Sequence, residues 1–258
     1  MTPSPAASSF GGVAYAYADP RNDTRSMIGN DGGSRSGNAA SASGSYELSS
    51  FDTPAARING ANGRVVDNAG ATDTIGWGRW IGHAALGGNG GAIRFGENGG
   101  LHYFTGTPTA TNDMPRGQAI YNFAGATRPT LGNEQIAPGL LENGRMVVDF
   151  DRARVGVQFD VRFPAANASY AVSTSGGIAD VGTSQVQIRN ATFGGQGALA
   201  RNTADCASGC WTQISGGFVG TQAAGAGFAY QIRGVQAPAT NSASDTLTTI
   251  NGAAAFVK

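Results

Sequence analysis

Charge is what this chain has least of. Only 13% of its 258 residues are Asp, Glu, Lys or Arg, against about 25% in ordinary soluble domains. Long surface helices need such residues along their exposed faces, so a helix-rich fold is excluded. Acidic and basic residues balance at zero net charge, which removes the basic footprint of a nucleic-acid binder. Lysine occurs once, as Lys258, and all other positive charge is arginine. No apolar run approaches the roughly 18 residues that a membrane-spanning helix requires. No secretory leader or lipid-attachment sequence precedes "TPSPAASSF", so the chain reads as a mature or truncated form with an added Met1.

Catalytic signatures are also missing. There is no Gly-x-Ser-x-Gly, His-Glu-x-x-His, phosphate loop or dinucleotide fingerprint. A Ser–His–Asp site would have to use His83 or His102, the two histidines, and neither has a distinctive neighbourhood. Asp149, Asp151 and Asp160 lie close enough in sequence to suggest a carboxylate pair. Alternation instead makes Asp149 and Asp160 wet-face partners on a hairpin and Asp151 a turn residue. The expectation is a protein that is not an enzyme.

What is abundant is glycine, 41 residues of it, together with alternating apolar and polar stretches. In "RMVVDFDRARVGVQFDVRF" (145–163), Val155, Val157, Phe159 and Val161 share one face of an antiparallel hairpin. From Gln118 onward, eight strands are expected at 118–126, 145–151, 154–163, 168–175, 184–193, 210–220, 226–233 and 250–257. Eight antiparallel strands close a small barrel that side chains fill. Glycines 216, 217, 220, 225 and 227 let the last strands curve and approach closely, and the aromatic residues between them supply buried area. The fold class is therefore all-β: a small antiparallel eight-stranded up-and-down β-barrel at 116–258, preceded by a β-rich domain at 1–115. In that first domain, 11–20, 45–51, 74–86 and 100–109 carry the strand-like patterns. The polar segment 21–44 reads as a mobile loop and 106–117 as an interdomain boundary.

The order of "YNFAG" (121–125), "GRMVVDFDRARVGVQFDV" (144–161), "VQIRNATFGG" (186–195), "GGFVGTQAAGAGFAYQI" (216–232) and the terminal "INGAAAFVK" resembles the C-terminal barrel of transferrin-binding-protein-B-like surface proteins. The resemblance covers about 140 residues. Its most specific part is Gly216 through Ala223 with the terminal Gly-Ala-x-Ala-Phe. Similar barrels end bacterial proteins with an iron-dicitrate-regulator-like domain. The resemblance implies a handle-like domain before the barrel. It also implies a bacterial, extracellular or outer-membrane-surface location, with any anchor carried by an upstream segment absent here, and a role in iron acquisition.

Four groups of residues are candidates for function. Cys206 and Cys210, in "DCASGC", suit either a metal site, for which no further Cys or His lies nearby, or a short disulfide closing a turn before Trp211. The disulfide is the expectation, given the extracellular-looking composition, and no metal is expected. His102 and His83, beside Trp77, Trp80 and Tyr103, are the candidate ligand-binding residues, because imidazole can ligate haem iron and the aromatics can wall a pocket. The spacing of three in "IGWGRW" sets Trp77 and Trp80 on opposite faces of one strand, one in the core and one exposed, with Arg79 on the Ile75–Trp77 face. Trp211 joins them as a candidate anchor for a partner. The functional expectation is a binding protein with no required cofactor, recognising a partner protein or an iron-bearing ligand such as haem. The alternative is a self-assembling extracellular subunit, a homo-oligomer whose "GGVAYAYA" strand adds to a neighbouring sheet edge.

Overall fold

The computed structural model describes residues 12–20, 22–31, 36–38, 43–50, 53–71, 74–86, 92–201, 205–206, 209–236 and 247–258. Strands dominate it, and they form two sheets. The first contains β1 (Gly12–Asp19), β2 (Asn22–Asp31), β3 (Ser36–Asn38), β4 (Ser43–Ser50), β5 (Thr53–Ala71), β6 (Ile75–Leu86), β7 (Ala92–Phe95) and β8 (Leu101–Gly106). Their order is β2-β1-β8-β6-β5-β4-β3, with β7 on β6. Part of the expected mobile loop is strand instead: residues 22–31 pair with β1, since a ladder needs only backbone groups and no apolar side chain. Residues 21, 32–35 and 39–42 lie outside the described residues.

The second sheet closes on itself. Its ring runs β9 (Gln118–Ala126), β11 (Leu140–Asp149), β12 (Arg154–Phe163), β13 (Ala168–Ser173), β15 (Thr192–Arg201), β16 (Cys210–Val219), β17 (Gly225–Gln236) and β18 (Leu247–Val257). The β18–β9 ladder, from Ala254↔Ala126 to Val257↔Asn122, completes it. Two short strands lie off the ring, β10 (Thr130–Leu131) on β18 and β14 (Gln187–Arg189) between β12 and β15. The fold is thus all-β with an eight-stranded antiparallel barrel. The expected ring strand at 184–193 is corrected to 192–201. Asn190 takes a left-handed φ of 57° and turns the chain, so the alternation around Val186 and Ile188 belongs to a short hairpin arm.

Inside the ring, Val155, Val157, Phe159 and Val161 are fully buried on one face of β12. Two aromatic groups fill the centre. Phe218 meets Phe193 at 5.1 Å and Phe150 at 5.3 Å between ring centres. Phe159 meets Tyr230 at 4.8 Å and Phe228 at 5.7 Å. Each fully buried side chain of this kind contributes about 1.5–3 kcal/mol, so the filled interior outweighs any single polar contact. Glycine makes the room: a Cβ added at Gly216 would run into the Phe193 ring, and one at Gly252 into Tyr230.

The first sheet packs on the outer wall of the barrel. Ala14, Ala16, Ile75, Trp77 and Phe104 meet Val219, Ala229, Ala253 and Ala255 in one buried cluster. Alanine on both sides lets the sheets approach, while Trp77 and Phe104 provide bulk. The glycine- and alanine-rich closing strands therefore serve two surfaces, with aromatics pointing inward and small residues facing the first sheet. The connecting segment is bonded to the barrel as well. Pro108 bridges Val219, Thr109 N donates to Phe218 O, Gly220 N donates to Thr107 O, and Asp113 accepts from Gln222 N.

One expectation about carboxylates is reversed. Asp149 is buried, because it caps the β11–β12 turn. Its Oδ1 accepts from Arg152 N at 2.9 Å, and its Oδ2 accepts from Arg152 Nη1 at 2.9 Å and Gln118 Nε2 at 3.0 Å. Asp160, half-buried, accepts from Asn143 Nδ2 at 2.7 Å.

Candidate functional site

The five expected ligand-binding residues are parted by the pleat of two neighbouring strands. On β8, Leu101 and Tyr103 point into the first sheet's own core, while Phe104 points to the barrel. His102 goes with Phe104. On β6, Trp80 lies in the first sheet's core and Trp77 in the intersheet cluster. Both Trp side chains are buried, 8% exposed for Trp77 and 1% for Trp80. The expectation that one of them is exposed is corrected: the two faces of β6 differ, as the spacing requires, but both are covered. His83 is exposed and pairs across the ladder with exposed Arg94.

His102 is fully buried at the meeting of the two sheets. Its Nδ1 lies 2.8 Å from Thr127 Oγ1 and its Nε2 lies 2.8 Å from Thr130 Oγ1. Burial, then the Arg79 guanidinium nearby, holds its pKa well below the usual histidine value. The ring is therefore neutral at pH 7, and a metal or haem iron would have to displace a threonine to reach it. Arg79 shares the Trp77 face, as expected, and is buried, donating from Nη1 to the carbonyls of Glu97 and Gly99. Among the described residues no cluster of three or more His, Cys, Asp or Glu is placed to hold a metal ion.

A different part of the barrel carries the disulfide beside an exposed aromatic residue. Cys206 and Cys210 are joined in a disulfide with Cα atoms 5.1 Å apart, as expected. The bonded turn places Asp205 against two neighbours: its Oδ2 accepts from Tyr170 Oη at 2.7 Å and its carbonyl from Gln236 N at 2.8 Å. Burial first, and then Asp205, push the Tyr170 pKa up, so this phenol stays a donor. On β16, Cys210 and Thr212 point inward and Trp211 outward, 37% exposed. Trp211 pairs in register with Arg233, whose guanidinium carbon sits 5.3 Å from the centre of the ring. That stacking stabilises both by about 0.5–1 kcal/mol, and Arg233, half-buried, also donates from Nη2 to Gln231 Oε1 at 2.7 Å, which fixes its guanidinium over the ring. Leu247, at the start of β18, is exposed too. The inside–outside alternation from Cys210 was legible in the sequence. The pairing with Arg233, 22 positions on, depends on β16–β17 register and was not.

No family model matches the chain, and no curated protein matches it. Solved structures do. The fold is similar to transferrin-binding protein B of serogroup B Neisseria meningitidis, isotype 1, at 12% identity and a TM-score of 0.48, covering 100% of this chain and 45% of that one. It is similar to a variant of the same protein from Haemophilus parasuis at 12% identity and a TM-score of 0.45, covering 95% and 44%. A variant from Actinobacillus pleuropneumoniae matches at 13% identity and a TM-score of 0.42, covering 96% and 99%. The chain spans about 45% of the length of the first two. These are likenesses of fold alone.

Proposed function

We propose that this chain is a non-catalytic binding module that works outside the cytoplasm, at a bacterial surface or in secreted form, and recognises a partner protein. The observation that carries the reading is the exposed Trp211 with Arg233 stacked on it, beside the Cys206–Cys210 disulfide. Trp and Arg are the residues most enriched where protein partners bind strongly, and a braced strand end holds them with little ordering to be lost on contact. The disulfide suits an oxidising compartment. Transferrin is the partner to test first, since transferrin-binding proteins are what the chain resembles. Self-assembly by strand addition has less support: β1, the strand that would be offered, is already paired with β2 and β8.

The test is surface plasmon resonance with iron-loaded and iron-free transferrin, on the native chain and on Trp211→Ala. Saturable binding weakened by roughly tenfold or more in the variant supports both partner and surface. Binding unchanged by the substitution removes the surface, and absence of saturable binding removes this partner.

A further inference from the structure

Beside the apolar cluster where the two sheets meet, residues 127–134 of the barrel form a polar seam with two elements of the first sheet, β8 and the β7–β8 loop. His102 spans the seam with both ring nitrogens, bonded to Thr127 and Thr130. Thr127 is itself built into the barrel wall: its amide donates to Ala253 O, and its Oγ1 accepts from Ala253 N at 2.9 Å. A few residues on, Glu134 closes over the β7–β8 loop. Both of its carboxylate oxygens lie 3.1 Å from Gly96 N, and its carbonyl accepts from Asn98 Nδ2. The same loop is held from the other side by Arg79, which donates to Glu97 O and Gly99 O. Glu134 makes these contacts from a left-handed backbone, φ 55°, which a residue with a Cβ rarely adopts. A Cβ at Gly99 would overlap the Glu134 carboxylate, so the loop is shaped to receive it.

The charged groups around His102 are few and asymmetric. Arg79 stands opposite it on β6, in register. Arg128, next to Thr127, donates from Nη2 to Pro138 O. Glu97 turns outward to pair with Arg64 at 2.8 Å. Glu134, the nearest carboxylate of the barrel segment, sets both oxygens against Gly96 N. β18 and the part of β1 that pairs with β8 carry no charged residue. A proton on His102 would place a charge inside a buried joint, across the ladder from Arg79.

We propose that this seam is an acid-sensitive catch, in which protonation of His102 loosens the hold of segment 127–134 on the first sheet while the barrel itself stays closed. The neutral ring fits its place, because one nitrogen donates and one accepts and each threonine hydroxyl can do either. The imidazolium fits worse, because its charge is desolvated and repelled. Mild acid thus acts on the joint between the sheets and not on the apolar interior of the ring.

Amide hydrogen exchange on the full chain tests this, comparing about pH 7.5 with about pH 5.5 after correction for intrinsic exchange rates. Peptides covering 96–104 and 126–135 are expected to exchange faster in the acid sample by up to about tenfold, the most that protonation of one histidine of ordinary open-state pKa can give over this range, with 155–163 in β12 unchanged. The response is expected to vanish in His102→Gln. Equal protection at both pH values, a response retained in that variant, or seam and β12 exchanging together would each overturn the proposal. Should His102→Gln fail to fold, NMR of the His102 ring in the native chain decides. A ring that gains its proton as the seam peptides open upholds the catch, and one that stays neutral while they open overturns it.

Discussion

The ring of Phe104 lies on Gly227: a Cβ added to that glycine would come within 2.6 Å of Phe104 Cδ2. An aromatic residue of the first sheet is thus seated in a dimple of the barrel wall. Gly227→Ala is expected to destabilise the protein by about 1–3 kcal/mol, because the ring must leave its place and the sheets must part slightly. Guanidinium unfolding measures it. An unchanged midpoint would mean that Phe104 can slide aside within the seam.

Asp149 makes a pH prediction. The Arg152 backbone N–H bond is the largest influence holding its pKa below the usual carboxylate value, with Gln118 and the Arg152 side chain adding to it against the opposing effect of burial. A lowered folded pKa means that the unfolded chain binds the proton more readily. The resulting stability is present above about pH 4 and is lost as pH falls through the lowered value. Asp149→Asn is therefore expected to lower the melting temperature at neutral pH. The gap from the native chain should close in strong acid, and a gap that persists there would assign the loss to packing.

Replacing both Cys206 and Cys210 by Ser is expected to lower stability by about 2 kcal/mol, since the bridged loop is short. The effect should be local, with faster amide exchange around Asp205 and Gln236, which share a backbone hydrogen bond. Exchange in β12 should hold. Loss of protection throughout the barrel would make the bridge a global staple.

A haem titration followed at the Soret band bears on the histidines. No binding that depends on His102 is expected, because both of its nitrogens already bond to threonines. Saturable one-to-one binding abolished by His102→Ala would reverse this and show that the seam opens to admit the iron. Loss in His83→Ala alone would move the site to the exposed face of β6.

Much of the barrel was legible because its inward residues alternate strictly, as Val155, Val157, Phe159 and Val161 do. Where small residues replace apolar ones, as in Gly197–Ala198, the pattern fades, and alternation alone sets β15 several residues too early. Asp149 read as a wet-face residue because alternation reports a side chain's direction and not the turn it caps. Trp77 and Trp80 teach the same lesson at larger scale. Their spacing correctly parts them, but that a second layer covers the outward one is a property of how two sheets pack. The surface at Trp211 needed a register, and the seam at His102 needed both sheets.

The segment between the sheets has a consequence for engineering. Thr107 and Thr109 share backbone hydrogen bonds with Gly220 and Phe218, and Asp113 holds Gln222. A cassette cut at this junction would carry away partners of the β16–β17 turn, leaving amide and carbonyl groups of the excised barrel open to solvent. Grafting the barrel alone onto another scaffold therefore requires that residues 107–113 travel with it, as part of the module and not as the tether.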